Sequence, residues 1–249
     1  MYGDGAVGGV VNIITKAPEN KANYGSVGLE AGSWETTRAN LTYGTKIGEK
    51  LLVNASYSGY SSMEWRDRNP EYKNDEDVNE SIWLRGKYLL DNGSIEANYR
   101  HNELKDYYTG PLKKVEFEKD PSMAGDYNGI CDSTEDSYTL KYNQKINDKF
   151  DFLVYGGYEE LEFKGDNQGW INKYLASQYF IKPQVKYSYG DNSYIIVGGD
   201  YRDGKSEDKK TPSNKDKTRE SYAGYILNKT TVGDWQFTQG YRREKIEFD

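Results

Sequence analysis

Apolar and polar residues alternate with a period of two along nearly the whole chain, which is the signature of strands with one apolar face. In Tyr24–Gly32, Val27, Leu29 and Ala31 fall on one side and Ser26, Gly28 and Glu30 on the other. Thr36–Lys46 sets Ala39, Leu41 and Tyr43 against Arg38, Asn40 and Thr42, and Leu51–Ser61 sets Leu51, Val53, Ala55 and Tyr57 against Leu52, Asn54 and Ser56. Val78–Leu90, Ser94–Leu104, Glu135–Lys145, Phe150–Phe163 and Tyr174–Ser188 repeat the pattern. Ser193–Gly204, Arg219–Thr231 and Trp235–Phe248 bring the prediction to about eleven strands. The phase of Arg219–Thr231 is ambiguous, because apolar residues occupy both parities. Pro183 cannot donate to a ladder, so a bulge or break is expected there.

The connections alternate too. Tight turns are predicted at Ile47-Gly48-Glu49, Asp91-Asn92-Gly93, Asn147-Asp148, Gly190-Asp191-Asn192 and Gly233-Asp234, where the residue types suit hairpins. Long polar loops are predicted at Ser62–Asp77, Lys105–Thr134, Lys164–Lys173 and Lys205–Thr218, and only Ser33–Glu35 is short on that side. An antiparallel sheet with tight turns at one end and long loops at the other is the arrangement of a transmembrane β-barrel. The fold class expected is all-β, a partial barrel wall.

Composition fits. Only 35% of the residues are hydrophobic, low for a water-soluble core in a chain of 249 residues, yet there are 24 tyrosines and 26 glycines. No apolar run is long enough for a transmembrane helix, but a barrel strand needs only every second residue apolar. Tyrosines near strand ends, such as Tyr43, Tyr57, Tyr88, Tyr99 and Tyr158, suit girdles at the two interfaces. The net charge of −7 argues against a nucleic-acid partner. The one cysteine, Cys131, is an incidental loop thiol, and a single histidine, His101, leaves no catalytic triad or multi-histidine metal site.

The chain opens on Tyr2–Lys16, a glycine-dense turn running into a β-branched strand. Gly3, Gly5 and Gly8 match the spacing of a dinucleotide fingerprint, but no strand precedes them and no helix-forming segment follows. The stretch resembles the end of the plug domain in TonB-dependent outer-membrane receptors, with Tyr2, Gly3, Gly5, Ala6, Gly8, Gly9, Val10, Asn12, Ile13 and Thr15 in place. The resemblance implies that residues 1–18 end a plug and residues 19–249 form the first half of a 22-stranded barrel. Residues 1–16 lack the features of a signal peptide, so a fragment is expected, with the TonB box upstream.

That resemblance implies a receptor in the Gram-negative outer membrane, lodged among its lipid and lipopolysaccharide. It would bind a metal chelate, foremost a ferric siderophore, and be driven by the TonB–ExbB–ExbD complex through the plug. A cobalamin or haem receptor and a passive porin-like barrel remain open, and no reading gives an enzyme. Trp65, Arg66, Arg68, Tyr107, Tyr108 and Trp170 combine aromatic rings with positive charge in the predicted loops, which suits planar anionic chelates. No cofactor is expected: the acidic stretch Asp120–Asp136 reads as a solvated loop without EF-hand spacing, and the alternative that the resemblance allows is a calcium ion held by oxygens of Asp126, Asn128, Asp132, Glu135 and Asp136. Arg38, Arg85 and Arg100 are expected to face the barrel interior.

Overall fold

A computed structural model describes residues 17–63, 65–67, 76–125, 127–167, 169–211 and 216–249. The opening motif, including Tyr2, Gly3, Gly5, Gly8, Gly9 and Asn12, lies outside the described residues, as do Arg68 and Asp126.

Among the described residues eleven strands form one antiparallel sheet in simple meander order. They are β1 (Asn23–Ala31), β2 (Thr37–Ile47), β3 (Leu51–Ser62), β4 (Asp77–Leu90), β5 (Gly93–Thr109) and β6 (Asn128–Lys145). β7 (Phe150–Asn167), β8 (Trp170–Gly190), β9 (Ser193–Asp208), β10 (Lys217–Val232) and β11 (Trp235–Phe248) follow. A six-residue helix, α1 (Lys114–Lys119), sits in the β5–β6 connection. Each strand pairs with its sequence neighbours, so β1 and β11 are the edges of the described sheet.

The register places the alternating sets on common faces. Tyr43, Ala55, Leu84, Tyr99, Tyr138, Tyr158 and Tyr179 form one continuous cross-strand row. Its neighbour toward the tight turns runs Val53, Gly86, Ala97, Leu140, Gly156 and Ile181. Large apolar side chains stand exposed on this face: Leu29 retains 78% of its accessible surface, Val27 72% and Leu140 53%. The opposite face carries charged pairs. Lys87 meets Glu96 at 2.8 Å, Arg242 meets Asp200 at 3.5 Å and Glu244 at 3.2 Å, and Arg100 pairs with Glu135. Arg38, Arg85 and Arg100 all lie on this polar face, as their alternation with Ala39, Leu84 and Tyr99 requires. The only buried hydrophobic side chains among the described residues are Leu52 and Phe180, and both belong to the polar face, Phe180 lying beneath Lys182. The sheet is thus apolar where it is exposed and charged where it is crowded, the reverse of a water-soluble sandwich.

A belt of tyrosines bounds the apolar face toward the loop end, and their hydroxyls donate to carboxylates one rung further out. Tyr99 reaches Asp136 at 2.8 Å, Tyr158 reaches Glu160 at 2.6 Å and Tyr222 reaches Glu220 at 2.9 Å. Each tyrosine thus presents its ring to the apolar band and its hydroxyl to polar surroundings.

Several expectations are corrected. The predicted loop Lys164–Lys173 is mostly strand: β7 and β8 run on to a tight turn in which Gly169 has φ 85° and its amide donates to Asp166 at 2.9 Å. A tight turn therefore shares the rim of the long loops. The predicted loop Lys105–Thr134 shrinks to residues 110–127, which puts Cys131 inside β6. No break occurs at Pro183. It stays paired with Val154, and the ladder to β9 pauses over Lys182 and Pro183 without changing register. The irregularity lies at Ser188/Gly190 instead. The phase of β10 is fixed by Tyr222↔Tyr201 and Ile226↔Val197, which put Tyr222 and Ile226 on the apolar face. Tyr225 faces the other way, with its hydroxyl on Gln184 at 3.1 Å.

Candidate functional site

The loop rim of the polar face is built by β7–β10. Phe163 and Tyr174 are cross-strand partners beyond the tyrosine belt, and their rings stack with centroids 4.7 Å apart and 22° between planes. Next to them the wall falls to small residues, Ala176 and Ser206, which are paired across β8 and β9, with Gly204 beyond. The far bank is Arg219, whose guanidinium lies 5.8 Å from the centroid of the Phe248 ring. Two adjoining concavities of about 950 and 650 Å³ result, and Ser206 and Lys217 line both.

Charges of both signs line this rim, Lys173, Lys210 and Lys217 with Asp208, Asp216 and Asp249 around the larger concavity. Lys210 Nζ lies 6.0 Å from the centroid of Trp170, which is 78% exposed. Asp208 accepts the amides of Lys210 at 2.9 Å and Thr211 at 3.0 Å, fixing the backbone from which Lys210 projects. Lys205 Nζ meets Glu207 at 2.8 Å and Asp216 at 2.7 Å, tying β9 to the approach of β10. Glu207 also pairs with Lys209. Hydrogen bonds from Lys205, then Lys209, hold the Glu207 carboxyl down to about 2, and Asp216 and Glu207 together push the Lys205 amine up. Among the described residues neither Lys210 nor Lys217 has a carboxylate partner, whereas Arg100, Lys87 and Arg242 deeper on the same face do.

The sequence-predicted residues divide. Trp65 is half exposed in the β3–β4 connection. Arg66 is engaged: its guanidinium donates to the carbonyls of Gly110 at 2.9 Å and Met123 at 3.3 Å, clamping the β5–β6 connection. Tyr107 and Tyr108 alternate on β5, so Tyr107 projects on the apolar side while Tyr108 packs over Gly129 on the polar side. Tyr108 and Trp170 share the polar face of the loop rim, three strand spacings apart, or about 14 Å. Phe163, Tyr174, Lys210, Lys217 and Arg219 escaped the sequence reading. The signal for the first two was cross-strand pairing about the Gly169 turn.

The described members of the proposed calcium set, Asn128, Asp132, Glu135 and Asp136, do not converge. Asp132 and Asp136 lie on the same face of β6, four residues or about 13 Å apart along the strand. Asp136 is taken up by Tyr99 and by His101 Nδ1 at 3.0 Å, Glu135 faces the other way with Arg100, and Asn128 is buried. No group of three or more His, Cys, Asp or Glu side chains among the described residues is placed to hold a metal ion. His101 belongs to the apolar face.

No protein-family model and no curated protein matches the sequence. Solved structures do. The ferric citrate transporter FecA in its unliganded form superposes with a TM-score of 0.79 at 19% identity, over 99% of this chain and 41% of that one. The ferric-catecholate import receptor Fiu of E. coli K12, in its open form, gives 0.73 at 11% identity, over 94% and 46%. The siderophore receptor PirA of Pseudomonas aeruginosa gives 0.69 at 15% identity, over 99% and 42%. The chain spans less than half the length of each of these proteins. No helix among the described residues is long and apolar enough to cross a membrane, which leaves crossing by strands untouched. The chain therefore has the barrel-wall fold of siderophore and iron-transport receptors, the fold its resemblance to TonB-dependent receptors led one to expect.

Proposed function

We propose that this chain forms part of a Gram-negative outer-membrane receptor that takes up a metal chelate, a ferric siderophore, by TonB-dependent transport. The observation that carries the reading is the two-faced wall. Val27, Leu29, Leu41, Leu84 and Leu140 stand exposed on one face, while ion pairs such as Lys87–Glu96 and Arg242–Asp200 fill the other. An exposed apolar band this continuous calls for hydrocarbon against it. The charged face then lines a water-filled interior, where polar groups are tolerated. The resemblance of Tyr2–Thr15 to the end of a plug domain favours an energised receptor over a passive porin. The plug would transmit force from the TonB–ExbB–ExbD complex, and cargo would bind on the loop-rim side of the interior.

Saturable binding of radioiron chelates to outer membranes from cells expressing the full-length protein tests this. Ferric siderophore should bind saturably, and its uptake should cease when the inner-membrane proton gradient is collapsed. Saturable binding of neither ferric siderophores, haem nor cobalamin would end the receptor assignment.

A further inference from the structure

The apolar face is not evenly filled. Just below the tyrosine belt its side chains shrink to Ala55, Gly86 and Ala97, and the last two are direct cross-strand partners. A Cβ built on Gly86 would meet nothing within 4 Å. Leu84, Tyr99 and Leu140 stand around these small residues, and an open apolar groove of about 890 Å³ results across β3–β8. The rings of Tyr99 and Tyr138, with centroids 5.0 Å apart, bound it toward the loops. Two rungs beyond Leu84 and Tyr99 on the same face, about 13 Å along the strands, Glu80 and Glu103 stand directly opposite each other. Like charges in that position repel. Glu80 accepts the Tyr57 hydroxyl at 2.5 Å, and among the described residues neither carboxylate has a basic partner. Asp136 and Glu160 are cross-strand partners on the rung between, where His101 is taken up by Asp136. Lys105, one rung further out and opposite Val78, is the remaining base on this part of the face. Carboxylates therefore prevail above the groove.

An occupant of this groove needs a long apolar part and, within reach of the opposed carboxylates, a positive end. We propose that the groove seats an acyl chain of a lipid whose headgroup ends in a primary ammonium, with that ammonium between Glu80 and Glu103. The chain would lie over Ala55, Gly86 and Ala97 and pass Leu84 and Tyr99 toward the headgroup. A headgroup that offers phosphate without an amine would be repelled by the carboxylates. The seat rests on the reading that this face meets a bilayer, and it makes the further claim that one lipid class is held there in preference to its neighbours.

The test uses the full-length protein in phosphatidylcholine vesicles that carry a minor fraction of phosphatidylethanolamine or phosphatidylglycerol, with and without magnesium. Native mass spectrometry identifies the lipids that stay bound after detergent extraction. The variants are Glu80→Gln/Glu103→Gln, which removes the charge, and Gly86→Leu/Ala97→Leu, which fills the groove. Protease resistance of the barrel reports folding independently. The unaltered protein should retain the ethanolamine lipid about three- to tenfold more strongly than the glycerol lipid, whether or not magnesium is present. The glutamine variant should erase that preference while lipid is still retained, and the leucine variant should lower retention of both lipids. If the leucine variant does not fold, the glutamine variant decides. The seat is overturned if the unaltered protein shows no preference, if magnesium makes phosphatidylglycerol the preferred lipid, if the glutamine variant keeps the preference, or if a folded leucine variant retains lipid unchanged. In each of these cases the barrel still inserts and the reading of its faces stands. Failure of the unaltered protein to insert into vesicles removes both.

Discussion

Adjacent residues of β2 provide a direct measurement of what each face of the wall meets. Leu41 lies on the apolar face between Val27 and Tyr57 and is half exposed, and Thr42 lies on the polar face between Ser26 and Ser56. Leu41→Arg would place a guanidinium against hydrocarbon, which costs about 2–4 kcal/mol near the bilayer midplane. That is about 30- to 1,000-fold in the folding equilibrium. Thr42→Arg would place the same group among small polar side chains in reach of water and should cost less than about 1 kcal/mol. The assay is reversible unfolding by guanidinium in phospholipid vesicles, followed by tryptophan fluorescence. The two substitutions share charge, size and strand, so their difference isolates the environment. Equal destabilisation by both, or a larger cost at Thr42, would refute the assignment of the faces and with it the barrel.

Three further outcomes are expected. Gly93→Ala should destabilise by about 1–3 kcal/mol, because its Cβ would fall 2.1 Å from the Asn143 carbonyl oxygen, whereas Gly86→Ala, which meets nothing within 4 Å, should be neutral or slightly stabilising in the same assay. Protection of the β9–β10 rim from hydrogen exchange should be full above the ordinary glutamate value of 4.5 and fade as pH falls toward 2, because the Glu207 carboxyl is held down to about 2 when folded. Glu207→Gln should flatten that profile, and added salt should weaken it, since the pair is solvent-exposed. Arg66→Ala should speed proteolysis within residues 110–127 while leaving the barrel's own resistance intact, because the guanidinium would no longer tether the carbonyls of Gly110 and Met123.

The strands were legible where a bilayer enforces them. Leu41, Leu84 and Leu140 alternate with polar residues because hydrocarbon stands on one side only, and the register confirms each set. Beyond the tyrosine belt both faces meet water and the alternation disappears. Lys164–Gly169 has no apolar side chain at either parity and contains Gly165, Asn167 and Gly169, so it carries loop chemistry while the backbone continues as hairpin. The aromatic stack stands at the root of that extension, where Phe163, the last residue of one predicted strand, pairs with Tyr174, the first of the next; both strands were legible, and only their pairing was hidden by the loop expected between them. β10 was ambiguous because Tyr225 and Leu227 put apolar bulk on the polar face, and only pairing with β9 could settle its phase. The acidic stretch around Asp132 suggested a cation site because its spacing resembled a loop, and a strand spreads such residues along its length instead.

The two outermost strands, β1 and β11, point the same way, both climbing from the tight-turn side to the loop side, as odd-numbered members of a meander must. Two copies standing upright in one bilayer would therefore bring these margins together with parallel polarity, so self-association cannot seal a ring with antiparallel seams throughout. Whatever polypeptide does so must contribute an odd count of crossings, beginning and ending on a descent.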